Sequence, residues 1–310
     1  MLDADAAGIA AAAQILRAGG LVAFPTETVF GLGADATSNE AVAKIYAAKG
    51  RPSFNPLIAH VPNRAAAEKQ GLFSAKAAKL AAAFWPGPLT LVLPLAPSAT
   101  VCDLARAGLD SVALRVPSHP LARQLLAAAG IPLAAPSANP SGRVSAVTAA
   151  HVREDFDGRI DAIIDGAVEV GLESTIVSCL AEQPALLRPG GVLRAAIEAV
   201  LGEKLAEAGS GGAIRAPGML AAHYAPRARL RRDAMRLEPG EAGLDFGGRF
   251  PAGAHVLDLS PAGDLAEAAA HLFGYLRVLD AHHAAIAVAP IPEEGLGEAI
   301  NDRLRRAAVR

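Results

Sequence analysis

The amino-acid sequence predicts an α/β protein. Of its 310 residues, 52% are hydrophobic, mostly alanine and leucine, and 4% are aromatic, which is typical of an ordered globular chain. Short apolar runs of strand length alternate with amphipathic helical stretches, and several of these runs end in Ser, Thr, Asn or Arg. Strands that repeatedly end in polar residues indicate a sheet with a functional edge or concave face. Each polar cluster taken alone is also typical of a turn.

The elements predicted for the first 207 residues are short helices and strands. Capping residues begin the helices, and glycine or proline ends them. Thr37 and Glu40 match a capping box, and Gly50 and Pro52 end the helix that this box opens. The predicted helices lie at residues 5–18, 37–49, 64–70, 74–84, 118–129 and about 191–207. The predicted strands lie at residues 21–24, 89–95, 111–117, 131–135, 160–164, 174–179 and 186–190, with a further apolar run at 56–59.

A glycine-rich break at residues 208–212 is the best domain boundary. Residues 216–226 follow it and hold a methionine, a histidine and a tyrosine between prolines, enough to anchor this segment in a pocket. Beyond it, strands at 255–259 and 284–289 alternate with helices at 264–279 and 293–308. We assign this small α/β unit no chemistry, because it has arginines but no lysine and no hydroxyl-rich strand end. The expected domains are residues 1–207, a linker or lid at 208–228, and residues 229–310.

Charge, cysteines and hydropathy exclude several classes of protein. A net charge of −2 gives no global basic field for nucleic acid, so any polyanion site must be local. Cys102 and Cys179 lie far apart without zinc-like spacing, and they fit a reducing compartment as small buried residues. The N-terminal stretch lacks the basic region of a secretory signal, and no run of about 18 apolar residues predicts a membrane span. We therefore expect a cytoplasmic protein.

The candidate site lies in residues 19–61. A hydroxyl-rich tetrad, Pro-Thr-Glu-Thr, follows the first strand, and Lys49 and Arg51 follow the next helix. Asn55 and His60 flank the apolar run at 56–59. Together these features are typical of a site for an anionic, phosphate-bearing ligand. Taken alone, the two cations are about as typical of residues that complement a helix C-terminus, and a lone histidine is more often structural.

Several catalytic motifs can be excluded. Residues 31–36 fit G-x-G-x-x-A, but polar residues separate this motif from the preceding strand, and no acid follows at the required spacing. We therefore reject a nicotinamide-binding site. The sequence also lacks a P-loop, a G-x-S-x-G elbow and an H-E-x-x-H pair. The remaining cations, hydroxyls and asparagines suit phosphoryl or nucleotidyl chemistry, in which positioning and electrostatics supply most of the acceleration.

Eight short motifs occur in order along the chain: PTETVFGLG, KGRPSFNPL, FWPGPLT, RVPSHP, APSANPSG, LESTIV, LRPGG, and APGM followed by HYAP. Together they resemble the threonylcarbamoyl-AMP synthases, the YrdC-like family, in the long form with an extra C-terminal domain. The match covers residues 15–226, and GLGEAINDRL resembles the tail of the extra domain. Any one motif is weak, whereas eight in register are highly specific.

The resemblance implies a fold and an activity. It implies a twisted mixed-sheet α/β domain with a concave cationic cavity, and a small Rossmann-like C-terminal α/β domain. Members of the family condense L-threonine, bicarbonate and ATP, with Mg²⁺, into threonylcarbamoyl-AMP and pyrophosphate. A separate tRNA threonylcarbamoyl transferase complex then passes the group to adenosine 37 of tRNA. The resemblance also allows a weak direct contact with tRNA, and the lack of an apolar span indicates no membrane partner.

The motifs also imply roles for single residues. Threonine would be held by Thr28, His60, Arg115 and Ser174, with Arg115 as the bidentate partner of its carboxylate. ATP would be held by Lys49, Arg51, Asn55, Ser111, Ser137, Asn139, Ser145, Arg188 and Tyr224.

Three of these residues would have further roles. Lys49 and Arg51 are expected to be catalytic: with Mg²⁺ they would neutralise the leaving pyrophosphate after a threonine carbamate attacks the α-phosphorus, without a covalent enzyme intermediate. Tyr224 would close over the site and keep water from the labile intermediates.

The chain departs from the family pattern in a few places. Phe30 stands where Tyr is common, Ala146 where Pro is frequent, and Ser178 where an acid is frequent. None of these removes a charge assigned to the phosphates. Two alternatives stay open, a non-catalytic RNA-binding module of the same fold and a related adenylate-forming enzyme with another amine substrate. Threonine and serine differ by one methyl group, worth only about 1–3 kcal/mol in a pocket.

Overall fold

Two β-sheets packed against helices organise the chain in a computed structural model, which describes residues 1–207 and 223–309. The larger sheet is mixed and has ten strands. They are β1 (Val22–Phe24), β2 (Gly31–Asp35), β3 (Ile58–His60), β4 (Leu89–Pro94), β5 (Ser111–Arg115), β6 (Leu133–Ala134), β7 (Ala162–Ile163), β8 (Thr175–Ser178), β9 (Ala185–Arg188) and β10 (Ala206–Glu207). Their order across the sheet is β10-β9-β8-β4-β5-β3-β6-β2-β1-β7. The predicted α/β class and mixed sheet are confirmed.

Eight helices accompany the larger sheet in the described residues 1–207. They are α1 (Ala6–Arg17), α2 (Asn39–Lys49), α3 (Arg64–Glu68), α4 (Ala75–Phe84), α5 (Asp103–Arg106), α6 (Pro120–Ala129), α7 (Ala149–Phe156) and α8 (Arg194–Leu201). Apolar side chains of α2, with Val42, Ile45 and Tyr46 on its buried face, join a core that includes β2 and β4. A second cluster packs α1 against α6 beneath β1.

The second sheet is entirely parallel. Its strands are β11 (Arg229–Arg231), β12 (Ala242–Asp245), β13 (Val256–Asp258) and β14 (Ala285–Val288), in the order β11-β14-β12-β13. Its helices are α9 (Leu265–His282) and α10 (Leu296–Ala307). The apolar core around this sheet also takes in Val29, Val144 and Leu172 from the first part of the chain. The two parts therefore share buried apolar surface, and ion pairs such as Arg194–Glu298, at 2.6 Å, also join them.

The structure corrects several sequence predictions. Ser38, and not Thr37, caps α2, since its hydroxyl accepts the Ala41 N–H at 3.2 Å while the Thr37 hydroxyl donates to Asp35. The helix predicted to reach residue 207 ends at Leu201, because Gly202 adopts the left-handed conformation that ends a helix, and a short strand follows. The sequence predictions omit strands β2, β10, β11 and β12 and helices α5 and α7.

The glycines of the rejected G-x-G-x-x-A motif lie in β2, which pairs antiparallel with β1. A Cβ on Gly33 would lie 2.7 Å from the ring of Phe24, so this glycine serves close packing between the two strands. Packing between β1 and β2 therefore explains the glycine at position 33 without a bound nucleotide.

Three further expectations concern the linker, a membrane span and the cysteines. Residues 208–222 of the predicted linker lie outside the described residues, and the boundaries 1–207, 208–228 and 229–310 stay a prediction. No helix among the residues that the structure describes is long and apolar enough to cross a membrane. Cys102 is half-buried, Cys179 is buried, and both are free thiols.

Candidate active site

A small buried pocket lies where several strands of the large sheet end. Its walls come from distant parts of the chain and include three arginines and one glutamate. The residues lining it are Thr28, Val29, Arg51, Ile58, His60, Arg115, Ala135, Pro136, Ser137, Glu173, Ser174, Arg188, His223 and Tyr224. Its volume of about 40 Å³ is far below the several hundred Å³ of a typical small-molecule site, so a ligand as large as ATP requires the walls to move.

His60 and Arg115 lie side by side on neighbouring parallel strands, in register across β3 and β5. Nη2 of Arg115 lies 2.7 Å from Oε1 of Glu27, and both side chains are almost fully buried. Burial alone would raise the pKa of Glu27, but the Arg115 guanidinium holds it below its usual value. Burial, together with the charge of Arg115, lowers the pKa of His60 to about 3, so this imidazole is neutral at physiological pH.

Ser174 lies immediately before β8, between two polar partners. Its hydroxyl hydrogen-bonds with the Thr90 hydroxyl at 2.8 Å, and Arg188 donates to its carbonyl oxygen at 2.9 and 3.1 Å. Thr28, in the tetrad after β1, shares a 2.7 Å hydrogen bond with Thr26. The hydroxyl-rich tetrad is thus ordered by its own side chains.

Arg51 reaches the pocket from the loop after α2. It donates to the carbonyl oxygens of Asn55 at 3.1 Å and Pro56 at 3.0 Å, and burial lowers its pKa to about 10. The amide group of Asn55 is fully buried, and neither of its polar atoms has a hydrogen-bond partner among the described residues. Ser111 does not line the pocket; it lies at the start of β5, where it pairs with Pro94 of β4.

Lys49 is buried beneath the loop that follows β6. Its ammonium group donates to the carbonyl oxygens of Ser137, at 2.6 Å, and Asn139, and it does not line the pocket. Burial, and next the charge of Arg51, hold the pKa of Lys49 well below its usual value. The Asn139 amide in turn donates to Pro140 and Arg143 oxygens at 2.9 Å. In this structure Lys49 therefore fixes the loop that carries Ser137 and Asn139.

Ser145 and Glu173 are linked by a hydrogen bond, and Glu173 is in turn linked to helix α10 beside the second sheet. The Ser145 hydroxyl donates to Glu173 Oε1 at 2.6 Å, and Arg303 of α10 donates to Oε2 at 2.8 Å. Burial alone would raise the pKa of Glu173, but the charges of Arg303 and Arg188 hold it below its usual value. Glu173 is therefore an ionised acceptor at the pocket wall.

His223 and Tyr224, from the segment predicted to be a lid, close one side of the pocket. The Tyr224 ring stacks on Phe273 of α9 with centroids 5.6 Å apart, and its φ of +62° is left-handed, which is unusual for a residue with a side chain. Its hydroxyl is buried and has no hydrogen-bond partner among the described residues. Burial raises the pKa of Tyr224 and lowers that of His223 to about 3.

The structure brings most of the candidate residues to one place. Those that line the pocket are Thr28, Arg51, His60, Arg115, Ser137, Ser174, Arg188 and Tyr224, whereas Lys49, Asn55, Ser111, Asn139 and Ser145 do not line it. Glu27 and Glu173 are not among the predicted site residues, although both lie inside the quoted motifs, next to assigned residues, and an acid beside a hydroxyl-rich strand end was the available signal. His223 was predicted only as part of the segment that anchors in a pocket, and it lines the pocket.

Fold and pocket together define a two-sheet α/β protein with a buried, arginine-rich site, and comparison with known proteins defines it further. Residues 14–190 match the Sua5/YciO/YrdC family model, described as "Telomere recombination". Residues 192–309 match the family model of the threonylcarbamoyl-AMP synthase C-terminal domain. The chain therefore belongs to the threonylcarbamoyl-AMP synthase family in its two-domain form.

Individual relatives cover nearly the whole chain. A threonylcarbamoyl-AMP synthase of Bacillus subtilis is 43% identical over 97% of this chain and 92% of its own length. The crystal structure of Pyrococcus abyssi Sua5 complexed with L-threonine superposes with a TM-score of 0.91, at 39% identity, over 98% of this chain and 95% of that one. A P. abyssi Sua5 variant with a neighbouring histidine and tyrosine replaced by alanine gives a TM-score of 0.88, at 37% identity, over 98% of this chain and 93% of that one.

Proposed function

We propose that this protein condenses L-threonine, bicarbonate and ATP into threonylcarbamoyl-AMP and pyrophosphate, which would make it a nucleotidyltransferase of tRNA modification. The observation that carries this proposal is the single buried pocket in which residues from separate motifs meet. The likeness to a B. subtilis threonylcarbamoyl-AMP synthase over almost the full chain supports it. The comparisons give no support to the alternative of a non-catalytic RNA-binding module.

The threonine subsite is proposed at Thr28, His60, Arg115 and Ser174. Arg115 offers a planar guanidinium that can bind a carboxylate through two parallel hydrogen bonds. The neutral imidazole of His60 and the two hydroxyls can orient the amine and the side-chain hydroxyl of threonine. The binding of L-threonine by P. abyssi Sua5, whose fold superposes closely on this one, supports this assignment.

The ATP subsite is proposed around Arg51, Arg188 and Tyr224. Buried arginines in a water-poor pocket stabilise phosphate charge more strongly than they would in water. Asn55 supports the same assignment, since no residue in the described part of the chain uses the donors or the acceptor of its buried amide, which lies on the loop that Arg51 contacts. Ser111, Ser137, Asn139 and Ser145 complete the proposed subsite, with Lys49 holding the loop of Ser137 and Asn139.

Mg²⁺ is proposed to arrive with the ATP. Among residues 1–207 and 223–309, no group of three or more His, Cys, Asp or Glu side chains could hold a metal ion. Magnesium commonly binds through substrate phosphates and water with one or two carboxylates, so the triphosphate itself would supply most of its ligands. Bound there, the ion would neutralise charge on the pyrophosphate.

The proposed reaction needs positioning rather than a covalent intermediate. The threonine amine takes up bicarbonate to give a carbamate, with loss of water, and a carbamate oxygen then attacks the α-phosphorus while pyrophosphate leaves. Arg115 would fix the threonine carboxylate, and Arg51 with Arg188 would bind the phosphates, so the two reactants meet in one orientation. Lys49 and Arg51 stay our candidates for the catalytic cations.

A closing segment fits this reaction. Water would hydrolyse both the carbamate and the adenylate, so the pocket must be shut while they exist. His223 and Tyr224 shut it here, and they are the one His-Tyr pair in the sequence. We further propose that the protein acts in the cytoplasm, hands its product to a tRNA threonylcarbamoyl transferase complex, and makes at most a weak direct contact with tRNA.

Pyrophosphate release tests the proposal. The purified protein is given ATP, Mg²⁺ and bicarbonate, with or without L-threonine, and L-serine serves as the matched amino acid. We expect release that requires both threonine and bicarbonate. Release that ignores threonine, or no release together with tight, salt-sensitive RNA binding, would overturn the proposal.

A further inference from the structure

The helix α10 carries a run of polar side chains that is buried. Asn301, Asp302 and Arg303 are consecutive, and the Arg303 side chain is fully shielded from solvent. A charged side chain is almost never fully buried unless it is paired. Arg303 therefore needs a partner within the protein, and its partners show what it does.

Those partners belong to the pocket of the large sheet. Nε of Arg303 donates to Oε2 of Glu173 at 2.8 Å, across 130 residues of sequence, and Nη1 donates to Asp302 at 2.8 Å. The guanidinium also lies 5.3 Å from the centroid of the Tyr224 ring. Contact between a guanidinium and an aromatic ring at this distance is attractive. One residue of the second sheet's domain thus contacts both a pocket acid and the tyrosine that closes the pocket.

Glu173 links Arg303 to Ser145. The second carboxylate oxygen of Glu173 accepts the Ser145 hydroxyl at 2.6 Å, which fixes the direction of that hydroxyl. Arg277 of α9 holds the same segment from another side, since it donates to the carbonyl oxygens of Val144 and Ser145 at 2.7 and 3.2 Å. The second domain therefore orders this segment through two arginines.

We infer that Arg303 is a positioning residue for the nucleotide subsite and that it acts through Glu173 and Tyr224. It holds Glu173 so that Ser145 is oriented, and it supports the Tyr224 ring that covers the pocket. The C-terminal domain thereby supplies part of the ATP site. This inference rests on the proposed function only in taking ATP as the ligand, and it gives chemistry to a domain to which the sequence analysis assigned none.

Calorimetric binding of ATP tests the inference without turnover. Arg303→Gln should weaken ATP by about tenfold or more, the scale of one charge-assisted hydrogen bond, while L-threonine binding changes less than twofold. The matched control is Arg305→Gln, on the same helix, where the side chain is 46% exposed and pairs with Glu293 at 3.4 Å. This control should leave both affinities unchanged.

A double-mutant cycle separates positioning from general stability. If Arg303 acts through Glu173, the ATP affinity lost in the Glu173→Gln, Arg303→Gln double variant should be smaller than the sum of the two single losses. The double variant leaves neither charge of the Glu173–Arg303 pair, and Asp302 keeps its ion pair with Arg306 at 3.0 Å, so the double variant also serves where the single Arg303 variant does not fold. Arg303→Lys, which keeps the cation beside Glu173, should recover part of the lost affinity.

Specific outcomes would overturn the inference. They are an ATP affinity of Arg303→Gln within twofold of the unmodified protein, an equal loss for ATP and threonine, or losses that add in full in the double variant. Failure of the unmodified protein to bind ATP would instead overturn the proposed function. If the unmodified protein binds ATP but releases no pyrophosphate, the proposed function fails, whereas the ATP affinities of the Arg303 variants still test the inference.

Discussion

The buried pair of Glu27 and Arg115 gives the most informative perturbation, Glu27→Gln. Oε1 of Glu27 lies 2.7 Å from Nη2 of Arg115, and the two side chains are only 2% and 5% exposed. Removing one partner of a buried ion pair costs about 3–5 kcal/mol, since the other charge stays buried and unpaired. Glutamine keeps a neutral acceptor that offsets about 1 kcal/mol of this cost. The free energy of unfolding should therefore fall by about 2–4 kcal/mol.

The melting temperature and its response to L-threonine provide the assay. A loss of this size should lower Tm by about 4–8 °C, taking the smaller factor of about 2 °C per kcal/mol because the chain is long. Saturating L-threonine should reduce the difference in Tm between the unmodified protein and Glu27→Gln, because the carboxylate of threonine would replace the missing anion beside Arg115. The control is Glu68→Gln, whose pair with Arg64 at 2.9 Å is half exposed and should contribute little.

The pH dependence of the same comparison follows from the lowered pKa of Glu27. Because its folded pKa lies below the usual 4.5, the pair contributes stability that is present above 4.5 and is lost as the pH falls through the folded value. The gap in Tm between the two proteins should therefore close in strong acid. A Glu27→Gln variant that melts within 2 °C of the unmodified protein at pH 7 would refute the reasoning about the pair. An unchanged gap in threonine would refute carboxylate binding by Arg115.

Three further predictions concern the nucleotide subsite and the core. Arg51→Ala or Lys49→Ala should remove most pyrophosphate release, about a hundredfold or more, while circular dichroism shows a folded chain. Tyr224→Phe removes a buried hydroxyl without a partner among the described residues, so stability should hold or rise by up to about 1 kcal/mol while ATP binding weakens about fivefold. Gly33→Ala places a Cβ 2.7 Å from the Phe24 ring and should cost about 1–3 kcal/mol in denaturant unfolding.

Matched variants and contrary results sharpen these three predictions. Near-normal turnover in either cation variant would remove that residue from the catalytic role. Tyr46→Phe should destabilise, because that hydroxyl donates to Asn55 at 3.1 Å, and a Tyr224→Phe variant that destabilises equally would contradict the unpaired assignment. Gly31→Ala, whose Cβ would lie 3.4 Å from its nearest neighbour, should be mild by comparison. Equal costs at the two glycines would contradict the packing argument.

Local patterns predicted the fold class and most elements, because helix caps, glycine stops and short apolar runs act over a few residues. Strand β12 was missed because Ala242–Asp245 is short and has little apolar periodicity, although tertiary packing buries all of it. The predicted extension of α8 to residue 207 ignored Gly202, which ends the helix. Such errors lie where one glycine or distant packing decides the conformation.

Single residues of the candidate site could be predicted from the motifs that contain them. The contacts between residues of different motifs could not. Ser174 and Arg188 could be chosen separately, but the hydrogen bonds that join them depend on the pairing of β8 with β9. Glu27 and Arg115 lie far apart in the sequence, so nothing local pairs them. Arg303 stands outside every motif assigned to the site, and only the docking of α10 shows its partners.

The contact between Glu173 and Arg303 has a consequence for biosynthesis. A ribosome makes Glu173 130 residues before Arg303, and domains commonly fold as units from the N-terminus during translation. For that interval Glu173 lacks its ion-pair partner Arg303, and the Ser145 carbonyl oxygen lacks the hydrogen bond from Arg277. Chains that are released early, or cut between the two sheets, would therefore fold around an unfinished pocket. The full affinity for ATP would be reached only when the late helix docks.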